Sequence, residues 1–220
     1  MGEVWAIVVA GGSGSRFGDA VPKQFLELAG LRVLDWAVAA ASAACDGVVA
    51  VLPAAHLDAA PDGPGGLIIS VAGGATRAAS VRAGLAAVPD DADIIVVHDA
   101  ARPLARTELF ERVVAAVRGG AAGAVPGVAV ADTIKRVDPD ERVVETLDRP
   151  ALRAIQTPQA FSAAALRAAH AGGDDATDDA ALVEAAGGLV VVVEGDPTNL
   201  KVTGPDDLVR AEAVLTRRSL

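Results

Sequence analysis

The sequence predicts an α/β fold: a Rossmann-like, mainly parallel sheet with helices on both faces, from which a β-hairpin arm projects. Three observations predict it. Short apolar runs of strand length alternate along the chain with longer helix-like segments, the order expected of βαβ units. The first apolar run opens into a glycine-rich turn. One stretch, at about 131–151, breaks the alternation with two short strand-like segments around a turn-rich centre.

Val4 to Ala10 is nearly continuous in apolar residues, as a strand covered on both faces requires. Val33 to Ala44 reads as a helix, Gly47 to Leu52 and Leu67 to Ala72 as strands, and Thr76 to Val88 as a helix. Ile94 to His98 reads as a buried strand ending in His98-Asp99. Thr107 stands as the N-cap of the next helix, with Glu108 in its first turn, Arg118 near its end and Gly119-Gly120 stopping it. Ala122 to Val128 reads as a strand, and right-handed crossovers then put helices on both faces.

Thr133 to Val137 and Val143 to Leu147 flank Asp138-Pro139-Asp140-Glu141-Arg142, a hairpin signal. Few large apolar residues occur there, so the hairpin is expected to stand off the core. A lone two-stranded ribbon is marginal in water; an arm used in dimerisation is the reading, a decorative surface hairpin the alternative. Beyond Gln156-Thr157-Pro158-Gln159 a helix starts near Ser162, Thr177 caps another, Leu189 to Glu194 is a strand, and Pro205 opens a final helix.

The 220 residues, 52% of them hydrophobic, suit one domain over 1–220 with the arm as its appendage. A net charge of -10 argues against tracking a nucleic-acid backbone. Any anionic small substrate then needs a local positive pocket or a metal ion. Cys45 is the single cysteine, so no internal disulfide forms, in keeping with a reducing compartment; it reads as a small buried hydrophobe. The start, Met1-Gly2-Glu3-Val4-Trp5, lacks the basic residues of a signal peptide, and Val33 to Ala55 is interrupted by Asp35 and Asp46, too broken for a membrane span. The expectation is a cytoplasmic protein with no nucleic-acid or membrane partner.

Gly11-Gly12-Ser13-Gly14-Ser15-Arg16-Phe17-Gly18 follows the first strand. Its glycines permit tight turns and close backbone approach, and free N–H groups there can cradle an anion. Arg16 can fork onto phosphate oxygens and Lys23 can act as a second point charge. The loop lacks the Gly-Lys-Ser/Thr of a Walker A motif, and the gap from Gly14 to Gly18 is one residue too long for a dinucleotide fingerprint. By itself such a loop is a weak signal, with a structural turn as the alternative. Of 19 basic residues only Lys23, Lys135 and Lys201 are lysines, which marks them as positions where a compact ammonium suits.

Asp99, at the carboxyl end of a buried strand, is placed to hold a divalent metal, Mg²⁺ with phosphate oxygens completing its shell; capping the next turn is the alternative. His98 lacks a partner at metal-ligand spacing and reads as a packed or hydrogen-bonded histidine; His56 and His170 read as surface or loop residues. Gly73-Gly74-Ala75-Thr76-Arg77-Ala78-Ala79-Ser80 also follows a strand and can offer backbone groups to a base, with Ser80 one turn into the helix, or be an ordinary helix start. Asp148-Arg149 and Asn199-Leu200-Lys201-Val202-Thr203 can supply positive charge to a second anion, or be surface features. No nucleophile elbow follows any strand. Positive charge with one acid suits phosphoryl chemistry, where a protein positions groups and neutralises charge.

Taken together the motifs resemble the 2-C-methyl-D-erythritol 4-phosphate cytidylyltransferases. The matching stretches, in order along nearly the whole chain, are AGGSGSRFG, PKQF, GGATRAASV, VHDAARP, DTIKR, DR, QTPQAF, TDDA and NLKVTGPDDL. The resemblance implies transfer of a cytidylyl group from CTP to an alcohol phosphate, methylerythritol phosphate, releasing pyrophosphate, on the way to isoprenoid precursors. It implies catalytic roles for Arg16, Lys23, Arg149 and Lys201, nucleotide contacts from Ala10, Gly11, Gly12, Gly74 and Ser80, substrate contacts from Arg102, Thr133 and Thr157, and Mg²⁺ or another divalent ion at Asp99. It also implies a homodimer in which the arm carries Arg149 and Thr133 to the neighbouring subunit's site. Ala75 sits where some members carry an acidic residue beside the base, which leaves backbone groups to recognise cytosine. The chain ends at Leu220, without the length for the cyclase domain fused in some relatives. Two alternatives stand beside this reading: a cytidylyltransferase for ribitol 5-phosphate or a related polyol phosphate, and a non-catalytic nucleotide-binding module.

Overall fold

The computed structural model of the chain describes residues 2–11, 22–61 and 67–218. In chain order the elements are β1 (Val4–Val9), β2 (Glu27–Leu28), β3 (Leu31–Arg32), α1 (Val33–Ala44), β4 (Gly47–Leu52), β5 (Leu67–Ala72), α2 (Arg77–Leu85), β6 (Ile94–Asp99), α3 (Thr107–Arg118) and β7 (Gly123–Ala129). There follow β8 (Lys135–Val137), β9 (Val143–Thr146), β10 (Arg153–Ile155), β11 (Gln159–Ser162), α4 (Ala163–His170), α5 (Asp179–Ala185), β12 (Val190–Glu194) and α6 (Pro205–Arg218).

The main sheet runs β10-β7-β11-β6-β1-β4-β5, with β12 beside β7. The β6-β1-β4-β5 half is wholly parallel. In the other half β12 pairs parallel with β7, while β11 is inserted antiparallel between β6 and β7. β10 and β11 take successive stretches of β7 on the edge opposite β12, because the β12 register overlaps both.

Strand alternation explains why β1 is apolar throughout. Val4, Ala6 and Val8 point into a core shared with Leu34 and Val38 of α1 and Phe110 and Val113 of α3. Trp5 and Ile7 point to the opposite face, against Val81 and Leu85 of α2, Leu166 of α4 and Val183 of α5. Each Val, Leu, Ile or Phe side chain so removed from water contributes about 1.5–3 kcal/mol, so both helical layers are anchored on one strand. α2 lies especially close to β1: a Cβ at Gly84 would stand 2.5 Å from Ile7 Cγ2. That approach brings the start of α2 to the carboxyl end of β1. α6 packs separately, with Ala211 and Leu215 against Leu28, Val33 and Leu104.

The caps differ from expectation in two places. Thr107 is the first residue of α3, whose N-cap is Arg106, without a side-chain cap. Asp178, not Thr177, caps α5, accepting from Ala181 N at 3.0 Å; an ionised acid is the stronger acceptor at a helix N-terminus. Thr76 does cap α2, accepting from Ala79 N at 3.1 Å. The hairpin β8-β9 forms a sheet of its own and is exposed, with Val143 and Val144 at 60% and 59%. Asp138 Oδ1 closes its turn by accepting from Asp140 N and Arg142 N, both at 2.9 Å.

Cys45 follows α1 and packs partly buried against the core. Burial, and next the Asp46 carboxylate, push its thiol up to about 12. An unfolded chain's thiol titrates near about 8.5, so the unfolded state loses its proton first. This contribution to stability is complete below that value and is lost as pH rises toward the folded pKa. At pH 8 iodoacetamide is expected to label the folded protein at least roughly tenfold slower than the urea-unfolded chain; equal rates would contradict the assignment.

Candidate active site

A cleft of about 360 Å³ opens at the carboxyl ends of β1, β5 and β6. The chain runs outward from β1 through β4 to β5 and then returns to β6 on the other side of β1, so the cleft lies where the strand order reverses, the usual ligand crevice of such sheets. Its described lining includes Ala10, Gly11, Lys23, Gly74, Ser80, Asp99 and Lys201, seven of the residues singled out from sequence. Gly12 and Arg16 lie outside the described residues.

The floor is held by backbone pairing past the strand ends: Ala10 N donates to Val51 O at 2.8 Å and Ala100 N to Val9 O at 3.0 Å. Gln24, 3% exposed, donates from Nε2 to Ala10 O at 2.6 Å and so ties the segment after the glycine loop to β1. This seats Lys23, whose Nζ donates to Val202 O at 2.9 Å. Gly74 is needed for closeness: a Cβ there would stand 2.5 Å from Ala79 Cβ. Its N–H donates to Ser80 Oγ at 3.2 Å, and that hydroxyl donates in turn to Thr76 O at 3.0 Å. Ser80 therefore braces the turn from beneath it, 2% exposed.

Asp99 is the acid of the cleft. Its Oδ2 accepts from Lys201 Nζ at 2.6 Å and its Oδ1 from Arg77 Nε at 3.2 Å. Burial alone would raise its pKa; the Arg77 and then the Lys201 charge overcome that and hold the carboxyl well below the usual carboxylate range. Arg77 also donates from Nη1 to Asp179 Oδ2 at 2.7 Å. Although burial opposes its charge, Asp179 and Asp99 together push its pKa up, so it stays a cation.

Thr157 and Arg102 are beside this acid but do not line the cleft. Thr157 Oγ1 accepts from Asp99 N at 3.0 Å and donates to His98 Nδ1 at 3.1 Å. His98 Nε2 then carries the proton and donates to Arg102 O at 3.2 Å, a tautomer inferred from these partners. Burial pulls His98 down to about 4, so it is a neutral, fully buried hydrogen-bonded ring, as its lack of a metal-ligand partner indicated. Arg102 Nη1 donates to Asn199 O at 2.8 Å. Thr133 and Arg149 are exposed on the arm and its base; Arg149 Nη1 donates to Ala131 O at 2.7 Å, and the residue borders a separate shallow recess with Arg153.

Four supporting residues had no role in the sequence reading. Arg77 and Asp179 carry the ion pairs just described. Asn199, fully buried, donates from Nδ2 to Thr157 O at 2.9 Å, and Gln156 Nε2 donates to Asp196 O at 2.8 Å; with Val202 N on Ala101 O at 2.7 Å they seat Lys201. Each sits inside a quoted motif, which is the one signal that could have found them. His170 is a correction. Read as a surface or loop residue, it is 4% exposed at the end of α4, with Nε2 on Asp179 Oδ1 at 2.9 Å. Its partner lies nine residues on, across a turn of glycine and acidic residues that looks like a surface loop in the sequence.

Among the described residues no group of three or more His, Cys, Asp or Glu could hold a metal ion, and no helix is long and apolar enough to cross a membrane. The model of the family described as 2-C-methyl-D-erythritol 4-phosphate cytidylyltransferase matches residues 4–217. A protein of that description from Rhodococcus opacus is 46% identical, over 97% of this chain and 96% of its own. A bifunctional enzyme of Clavibacter michiganensis is also 46% identical over 96% of this chain, which spans 54% of that enzyme's length. Among solved structures, the 4-diphosphocytidyl-2C-methyl-D-erythritol synthase of Anaerococcus prevotii superposes with a TM-score of 0.84 at 30% identity, covering 98% of this chain and 99% of that one. The 2-C-methyl-D-erythritol 4-phosphate cytidylyltransferase of Thermus thermophilus gives 0.79 at 37% identity, covering 98% of this chain and all of the other.

Proposed function

The chain belongs to the 2-C-methyl-D-erythritol 4-phosphate cytidylyltransferase family, and from that premise we propose how its residues carry the reaction. It is a nucleotidyltransferase that transfers the cytidylyl group of CTP to 2-C-methyl-D-erythritol 4-phosphate, with release of pyrophosphate, in isoprenoid precursor synthesis. A phosphate oxygen of the alcohol phosphate attacks the α-phosphorus, and the bond to the β-phosphate breaks with pyrophosphate leaving. The substrate supplies its own nucleophile, so the protein's task is placement and charge. The observation that carries the reading is the convergence of Lys23, Lys201 and the Asp99 carboxylate, held well below the usual carboxylate range, on the wall of one cleft.

Lys23 and Arg16 neutralise charge growing on the triphosphate as the bond breaks. Ala10, Gly11 and Gly74 line the nucleotide's side of the cleft, Gly12 has a nucleotide contact by the family's pattern, and Ser80 keeps the Gly74 turn in shape. Lys201 holds the incoming phosphate, with Arg102 and Thr157 beneath it. Asp99 is the one acid among the described residues that line the cleft, and its oxygens already accept from Lys201 and Arg77. A divalent ion such as Mg²⁺ would share this carboxylate with those cations and take its other donors from phosphates and waters, as magnesium in phosphate-transfer sites does with one or two carboxylates. When bound it would supply charge neutralisation on the triphosphate. The reaction runs in the cytoplasm, where nucleoside triphosphates are made.

Arg149 and Thr133 serve the site of a second copy. What supports this is their position off the cleft, and the exposed Val137, Val143 and Val144 on a hairpin too small to be stable alone. Sedimentation at assay concentration is expected to give a dimer; a clean monomer would refute the arm's role. The substrate is tested by pyrophosphate release from CTP with each alcohol phosphate. Turnover with methylerythritol phosphate and not ribitol 5-phosphate is expected, and the reverse would replace the reading by the polyol alternative.

A further inference from the structure

We propose that Asp179 is a positioning residue of this reaction: through Arg77 it sets the place of the Asp99 carboxylate in the cleft, with His170 holding Asp179 in turn. The inference rests on the catalytic reading above but concerns side chains which that reading leaves without a role.

Asp179 is 1% exposed and opens α5, where a helix favours negative charge. Its oxygens are divided between two partners. Oδ1 accepts from His170 Nε2 at 2.9 Å, and Oδ2 accepts from Arg77 Nη1 at 2.7 Å. The same guanidinium reaches Asp99 Oδ1 through Nε at 3.2 Å, and Asp99 Oδ2 is bonded to Lys201 Nζ at 2.6 Å. One unbroken series of charge-assisted bonds thus runs His170–Asp179–Arg77–Asp99–Lys201, from the interior to the wall of the cleft.

The chemistry of arginine makes this a positioning device. A guanidinium is planar and rigid, so the bond at Nη1 sets the plane and with it the direction of Nε. Arg77 has two acids to satisfy, and the more deeply buried one, itself held by His170, is the anchor. Stability alone is a poor account of the arrangement, since apolar residues of similar volume often serve a fold as well as a buried ion pair. What apolar residues cannot supply is a fixed direction for the group that touches Asp99.

The test is a cycle of Arg77→Met, Asp179→Leu and the double variant, read three ways: thermal melting, CTP affinity by calorimetry, and kcat/KM by pyrophosphate release. Arg77→Met is expected to lower kcat/KM roughly 100-fold, and Asp179→Leu roughly 10- to 100-fold through misplacement of Asp99. The double variant is expected to match Arg77→Met alone, because Asp179 acts only through Arg77. Asp179→Leu leaves the half-buried Arg77 cation short of a partner and melts early; the double variant recovers melting temperature without recovering activity. That split separates positioning from a merely structural role.

Activity returning with stability in the double variant, or losses that multiply, would overturn the proposal. Should Asp179→Leu not fold, Asp179→Asn, close in shape, takes its place with the same equality expected. A wild type that binds CTP but turns over neither alcohol phosphate would sink the functional reading alone. The equality would then be read in CTP affinity, where unequal effects of Arg77→Met and the double variant count against the positioning role. A wild type that does not bind CTP overturns both.

Discussion

Replacing Lys23 with alanine is expected to lower kcat by roughly 100-fold or more, the usual loss when a charge partner of the transition state is removed. The ammonium is held at the cleft from two directions. Its Nζ donates to Val202 O, and the neighbouring Gln24 pins the segment to Ala10 O at the end of β1. A cation fixed in this way need not reorganise as negative charge moves onto the leaving pyrophosphate. Its worth is therefore greater in the transition state than in the bound substrate, and the loss should fall on kcat more than on the KM for CTP. Lys23→Arg keeps the charge but replaces a compact donor by a broad planar one, and partial activity is expected. Steady-state kinetics with the pyrophosphate assay measure both. Unchanged turnover in Lys23→Ala would remove Lys23 from the chemistry and favour a nucleotide-binding module.

Asp99→Asn is the second large effect. The substitution keeps the shape of the side chain and deletes the charge shared by Arg77 and Lys201. A fall in kcat/KM of roughly 100-fold or more is expected, since Lys201 loses the carboxylate that orients it, Arg77 loses the group it positions in the cleft, and the proposed ion loses its carboxylate. Stability should suffer less. Breaking a buried ion pair costs about 3–5 kcal/mol when it strands a charge, but Arg77 keeps Asp179 and the Lys201 side chain is 43% exposed to water. A variant that melts close to the wild type while losing activity would place Asp99 in function. A variant that keeps kcat/KM but melts far lower would make Asp99 a structural acid.

Most of the architecture was legible locally. The helix from Val33 to Ala44 and the strands Gly47–Leu52 and Leu67–Ala72 have the bounds expected from apolar run length and turn residues. Such signals are carried by neighbours a few residues apart. β10 and β11 went unread: β10 is only three residues long and exposed along its length, so it has no apolar pattern to show, and β11 is four residues held by long-range antiparallel pairing to both β6 and β7. The choice of cap at α3 and α5 was off by one residue at each, because adjacent polar residues compete and backbone geometry decides between them.

The candidate site divides in the same way. The sequence by itself determined its parts: a glycine-rich end to the first strand, lysines kept where arginine is otherwise the rule, an acid at the end of a buried strand, and motifs in the order of one family. Only the tertiary structure decided which parts meet. Lys201 and Asp99 are 102 residues apart in the chain, as are Arg77 and Asp179, yet both pairs are in contact. Arg149, by contrast, stands on the arm away from the cleft of its own chain. The physical reason is range. Periodicity, capping and turn chemistry act over a few residues, whereas these meetings follow from sheet order and from helices packed to both faces, which are properties of the whole core.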